Sequence, residues 1–163
     1  LTLSRLEAGA APAAAPLELG LLVRQVAGEL APQALHKAQS IELDAADACT
    51  VQGDATLTSV LVRNLVDNAI RYSPPQASVR IAVARRGGQV LLTIDDSGAG
   101  MSEPDMQRLG ERFFRVLGSG EGGSGLGWSI VRRIAAVSAA TLRVGRSAAL
   151  GGLSIEVAWP SAG

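Results

Sequence analysis

Apolar residues recur along the chain in two rhythms, and the switches between them lay out the elements. From Leu17 onward, Leu19, Leu22, Val23, Val26 and Leu30 fall at helical spacing and predict an amphipathic helix. Pro32 lacks a backbone donor and predicts a kink or break ahead of "QALHKAQS". "IELD" (41–44) is a short strand candidate. Asp54 then stands as N-cap to a long helix that runs to about Tyr72 and stops before Pro74-Pro75.

The period next changes to two. Val79, Ile81 and Val83 alternate with polar residues, Gly87-Gly88 turns the chain, and Val90, Leu92 and Ile94 alternate again. That is a hairpin with one buried face. A glycine-dense stretch from 97 to 125 surrounds a short helical segment at about 103–112. A helix from about Gly125 to Ser138 follows, then strands around Leu142–Val144 and Leu153–Trp159, joined by a loop containing Gly151-Gly152. No internal repeat interrupts this order. Strands with one apolar face, and long helices able to cover it, predict an α+β fold: a two-layer sandwich of helices on a sheet.

The beginning of the sequence reads differently. "LTLSRLEAG" places Leu3 and Leu6 at helical spacing and stops at Gly9, as the tail of a helix whose beginning lies outside this sequence would. "AGAAPAAAP" (8–16) is small and proline-punctuated, which reads as a linker. The expected layout is a helix remnant at 1–9, a linker at 10–16 and one domain at 17–163.

Composition narrows the partners. Aromatic residues make up 3% of the chain against 47% hydrophobic, so the core must be built from Leu, Val, Ile and Ala. Fifteen basic residues balance fifteen acidic ones, which offers no electrostatic case for nucleic acid or for an anionic membrane surface. Lys37 is the only lysine; the arginine bias suits planar, bidentate phosphate contacts. Cys49 stands alone, so an intrachain disulfide and a thiolate metal cluster are excluded, and it reads as an inert small residue near a strand. No run reaches the roughly 18 apolar residues of a membrane span and no secretory signal is visible, which reads as a cytoplasmic domain.

The chemistry concentrates in three places. "NLVDNAIRYS" (64–73) sets Asn64 and Asn68 four apart on one helix face, with Arg71 and Tyr72 about a turn beyond. Amides are costly to bury unpaired, so two of them on a face otherwise apolar need a partner, whether solvent, a cap or a ligand. "DDSGAGM" (95–101) follows a strand directly, and "GSGEGGSGLGWSIV" (118–131) runs into a helix, where free N–H groups suit phosphate. The second loop has no Lys followed by Ser or Thr and no strand just before it. It is neither a Walker A loop nor a dinucleotide fingerprint. Glycine-rich surface loops are common, and neither alone assigns a ligand.

Their order carries more. An Asn-bearing helix, an Asp-Ser-Gly-Ala-Gly turn, the arginine-flanked "ERFFR" (111–115) and "GGSGLGWSIV" together resemble the N box, first glycine box, F box and second glycine box of sensor histidine kinase catalytic domains. That family (HATPase_c, or GHKL) also takes in gyrase and mismatch-repair ATPases, and the resemblance covers about Leu17 to Pro160. "LTLSRLEAG" is similar to the end of the dimerisation helix that precedes such domains. The resemblance implies a Bergerat-type fold, a mixed sheet covered on one face by helices.

It also implies roles. Asn68 would coordinate Mg²⁺ through its amide oxygen, a hard neutral ligand, while phosphates and waters complete the shell. Asn64 would meet a metal-bound water or a phosphate, and Arg71 and Tyr72 would flank the phosphate and ribose. Asp96 would accept a hydrogen bond from the adenine amino group, Gly98 and Gly100 would turn under the base, and Met101 would line the pocket. Asp95, on the opposite strand face, reads as a solvated or structural carboxylate. Arg112 and Arg115 would reach the terminal phosphates. Gly123, Ser124, Gly125, Leu126 and Gly127 would shape a loop presenting N–H groups, with a lid at about 116–122.

Three positions depart from the pattern. Gly110 stands where the F box has its first aromatic, Trp128 replaces a common leucine and packs in the core, and Ser138-Ala139 replaces a frequent His-Gly turn. None removes a phosphate or metal ligand.

The implied function is phosphoryl transfer from Mg-ATP to a histidine on a dimerisation domain, for relay to a response regulator. In the related hydrolytic ATPases a glutamate one turn before the metal asparagine activates water; Asn64 occupies that place and cannot act as a base. His36 lies outside any phosphoacceptor-like context, so the acceptor is expected elsewhere. The parent protein is expected to be a homodimer anchored in a bacterial inner membrane, with this domain contacting neither membrane nor nucleic acid. The rivals are a serine kinase of the anti-sigma type and a non-catalytic module that binds nucleotide or a partner protein.

Overall fold

The structure, a computed structural model, describes residues 14–46, 48–108 and 126–162. In chain order it contains strand β1 (Ala15–Glu18), helix α1 (Leu19–His36), strands β2 (Ser40–Ala45) and β3 (Thr50–Gly53), and helix α2 (Ala55–Tyr72). Strands β4 (Ser78–Arg86) and β5 (Gln89–Asp96), helices α3 (Glu103–Arg108) and α4 (Leu126–Val137), and strands β6 (Thr141–Arg146) and β7 (Leu153–Pro160) follow. The expected helix remnant, the first residues of the linker, the F box and the lid lie outside the described residues.

Five strands form a sheet in the order β2-β4-β5-β7-β6, parallel between β2 and β4 and antiparallel elsewhere. Register aligns the apolar positions in rows: Ile81 beside Ile94 beside Ile155 beside Val144, and Val83 beside Leu92 beside Val157 beside Leu142. Helices α1, α2 and α4 cover that face. The core is aliphatic, as the composition requires, with Trp159 and Trp128 also packed within it. A mixed sheet under one layer of helices is the expected α+β sandwich.

α2 forms because Asp54, itself buried, caps it. The carboxylate accepts from Thr56 N at 2.9 Å and Leu57 N at 3.1 Å. Leu57, Leu61, Leu65 and Ile70 bury one stripe, and truncating any of these leucines to Ala should cost about 2–5 kcal/mol. The helix stops at Ser73, extended ahead of Pro74 as the residue before a proline must be.

Three boundaries differ from expectation. Ala15 and Pro16, read as linker, lie in β1, which pairs antiparallel with β3. This ribbon was illegible because each strand has four residues and few apolar ones. The helix expected from Leu17 begins at Leu19: the side chain of Glu18 caps Gly20 N at 3.3 Å, and Leu19 N donates out of the helix to Cys49 O. Pro32 does not end α1, which runs unbroken to His36, because buried Leu30 and Ala34 hold the helix on either side of the exposed proline.

Candidate functional site

The C-terminal end of β5 and the exposed flank of α2 form two poles of one site. At the first, Asp96 ends β5. Its Oδ1 accepts from Gly98 N at 2.9 Å and Leu153 N at 3.2 Å, while its main-chain carbonyl accepts from Gly152 N at 3.0 Å. Two backbone donors on Oδ1 leave Oδ2 to accept from a ligand. Burial raises the Asp96 pKa above its ordinary 3.8; the two backbone hydrogen bonds oppose the rise, and the neighbouring Asp95 charge adds to it.

Glycine is required around this carboxylate. A Cβ on Gly152 would overlap Asp96 Oδ1 and sit 2.8 Å from Gly98 N. Gly100 adopts φ +76 and passes within van der Waals distance of Gly152. Ser97 ties the start of the loop to β4, its Oγ accepting from Ser78 N at 2.8 Å. Met101, half-buried, packs against the core. Sequence reasoning placed Gly152 in a loop and gave it no role. The signal was a glycine pair before the last strand, and nothing local says which carboxylate it accommodates.

The second pole lies where α2 meets α4. Asn64 donates from Nδ2 to Val60 O at 2.8 Å, which turns its amide oxygen away from its own helix. A Cβ on Gly127 would stand 3.1 Å from that Oδ1 and 3.9 Å from Asn68 Nδ2. Both asparagines therefore converge on the first turn of α4, where the positive end of the helix dipole favours an anion. Neither is fully buried.

α2 joins the poles. From Asn64 to Ser73 it rises about 14 Å, and Ser73 and Pro74 touch the loop at Gly98: a Cβ there would lie 3.5 Å from Pro74 Cδ. Arg71 is half-buried and pairs with Asp67 at 3.5 Å, and Tyr72 stands at the surface, 38% exposed. Arg112, Arg115, Gly123, Ser124 and Gly125, and the side chain of Leu126, lie outside the described residues. No group of three His, Cys, Asp or Glu able to hold a metal occurs among the described residues. A metal here would take its protein ligand from an amide such as Asn68. A cavity of about 290 Å³ on the helix-free face of the sheet, lined by Arg86, Leu91, Arg143 and Glu156, shares no residue with the site.

Residues 53–163, from the end of β3 through Asp54, both poles and β7, match the family described as histidine kinase-, DNA gyrase B-, and HSP90-like ATPase. The chain belongs to this family. Among its relatives, the sensor protein QseC of Salmonella typhimurium strain LT2 is 43% identical over 119 residues, 73% of this chain and 25% of that protein. The chain thus spans about a quarter of the length of the curated relatives it matches. The solved mycobacterial sensor histidine kinase MprB superposes with a TM-score of 0.80 at 26% identity, covering 91% of this chain and 97% of that one. Full-length ShkA, solved in complex with AMPPNP, also gives 0.80, at 27% identity over 97% of this chain and 33% of that one. The ATPase family fold accounts for the mixed sheet and its single helical layer. Among the described residues no helix is long and apolar enough to cross a membrane.

Proposed function

We propose that this chain is the ATP-binding catalytic domain of a sensor histidine kinase. The observation that carries the reading is α2, which holds Asn64 and Asn68 against Gly127 at one point and Ser73-Pro74 against the Asp96 loop a few turns on. A carboxylate acceptor suits the adenine amine, and amides facing a helix N-terminus suit a polyphosphate. Kinship with sensor kinases, one of them solved with an ATP analogue, supports the same assignment.

Asp96 orients the base through Oδ2, its Oδ1 being held by Gly98 and Leu153. Asn68 would hold Mg²⁺, which when bound neutralises phosphate charge. Asn64, Arg71 and Tyr72 would place the phosphates and ribose, and Arg112, Arg115 and the 123–127 loop would steady the terminal phosphate. The amide of Asn64 cannot take a proton near neutral pH, so it does not activate water and hydrolysis is disfavoured. In the transfer, an unprotonated ring nitrogen of an acceptor histidine forms the P–N bond as the bond to the β,γ-bridging oxygen breaks and ADP leaves. The acceptor belongs to a dimerisation domain of the parent, a membrane-anchored homodimer that passes the phosphoryl group to a response regulator. Calorimetric titration with ATP at fixed Mg²⁺ tests the site. The unmutated chain binds and Asn68→Ala binds at least about tenfold more weakly, a loss of about 1.4 kcal/mol. Equal affinities would remove Asn68 from the metal site.

A further inference from the structure

Lys37, the sole lysine, lies in the turn between α1 and β2 and reaches the far end of α2. Its Nζ donates to Ile70 O at 2.9 Å and Arg71 O at 3.0 Å. Two residues on, buried Gln39 donates from Nε2 to Ile70 O at 3.0 Å, Ser73 O at 3.0 Å and Pro74 O at 3.3 Å. Three carbonyl oxygens around one atom fix the amide orientation, because only the NH₂ group can face them. Gln76 N donates back to Lys37 O at 2.9 Å, and Ser40 N to Ala77 O at 3.0 Å, so the turn closes on the whole 70–77 segment.

The carbonyls of Ile70, Arg71 and Ser73 are orphan acceptors of the helix C-terminus, where the dipole is negative and a cation is favoured. Helices commonly satisfy them with a glycine cap or with water. Here the donors come from another element more than thirty residues earlier, and Gln39 is buried to supply them, its Oε1 having no partner among the described residues. The last turn so gripped carries Arg71 and Tyr72. The residues after it form the surface on which Gly98 rests, 3.8 Å separating a Cβ there from Ser73 Cα.

We propose that Lys37 and Gln39 are positioning residues for the nucleotide site, setting the height of the last turn of α2 and through it the seat of the Asp96 loop. Adenine nucleotides then bind with an affinity that depends on two side chains whose nitrogens donate to carbonyls at the end of α2. The binding half rests on the ATP reading above; the coupling between Lys37 and Gly98 stands on geometry alone.

The test uses the 163-residue chain with Lys37→Met, Lys37→Arg and Gln39→Met, and Arg63→Ala as control. Arg63 bridges α2 to Glu29 of α1 at the surface and touches neither pole. Affinities for ATP and ADP are measured by calorimetry well below each melting temperature, and the amide resonances of Gly98 and Gly100 are followed without nucleotide. Lys37→Met and Gln39→Met weaken both nucleotides about fivefold or more and shift both glycine amides, since a site held loosely by its supporting residues loses function before fold. Lys37→Arg, which keeps the cation and its donors, recovers most of the affinity. Arg63→Ala changes neither readout. A lower melting temperature with affinities within about twofold and unmoved glycine amides would reduce Lys37 and Gln39 to a structural role and overturn the proposal. If Lys37→Met does not fold, the same criteria apply to Gln39→Met. An unmutated chain that binds no ATP, with amides that still move, would sink the ATP reading and leave the coupling intact.

Discussion

Gly152 has no side chain where Asp96 places its carboxylate. Its N–H meets the Asp96 carbonyl at 3.0 Å, and a Cβ would occupy the space of Asp96 Oδ1. The two residues are 56 apart in sequence, and the position of the carboxylate depends on the absence at one as much as on the presence at the other.

Gly152→Ala therefore displaces the carboxylate without adding or removing any ligand group. Backbone atoms lie too close for a side chain to swing aside, so the cost resembles overpacking, about 1–3 kcal/mol. ATP affinity drops at least about tenfold. Paired chemical denaturation and calorimetry check this; an alanine variant with unchanged affinity would mean that Asp96 does not hold the base.

At the other pole, Gly127→Ala separates stability from binding. Alanine favours a helix by up to about 1 kcal/mol over glycine, so the melting temperature holds or rises. The new methyl lies 3.1 Å from Asn64 Oδ1 and pushes that amide aside, lowering Mg-ATP affinity. Thermal melts and calorimetry on one sample decide it, and a variant that melts lower while binding normally contradicts the expectation.

Asp96→Asn trades function for stability. Burial raises the carboxyl pKa in the folded state, so the folded chain holds this proton more tightly than the unfolded one. Its contribution is fully present below the ordinary 3.8 and is lost as pH rises through the folded value. At neutral pH the partly buried charge is a net cost that asparagine does not incur, while the amide oxygen can still accept from Gly98 and Leu153. The variant melts higher than the parent at pH 7, and the gap closes at pH 3. Its adenine binding weakens, and since the amide can donate to a guanine carbonyl, the preference for ATP over GTP narrows. Displacement of a fluorescent ATP analogue by ATP and GTP measures the preference, and equal displacement from the unmutated protein would show that Asp96 does not read the base.

Incubated alone with radiolabelled ATP, the chain forms no acid-labile phosphohistidine. His36 is exposed at the end of α1, in the turn that leads to Lys37, and among the described residues no contact places it at either pole. A separately supplied dimerisation domain accepts label slowly, because without a tether the effective concentration is low. Label on His36 would reverse the assignment of the acceptor to another domain.

Periodicity and capping decided most of the elements, because an Asp54 cap, a β4–β5 alternation and a proline stop are local facts that the chain states wherever it folds. The asparagines of α2 and the two glycine loops stood out in the sequence for a similar reason: amides are costly to bury unpaired, glycines are conformationally special, and their order along the chain is a local fact. Only the tertiary structure decided that Pro32 sits inside a continuous helix, since the burial of Leu30 and Ala34 outweighs a lost hydrogen bond. It alone paired β1 with β3, set Gly152 against Asp96, and brought Lys37 and Gln39 to the end of α2. Each of these is a contact between distant segments of ordinary composition. A glycine records only that a side chain is missing, and a lysine only that a cation is present; which carboxylate fills the one and which carbonyls receive the other is settled when the sheet register and helix packing bring them together.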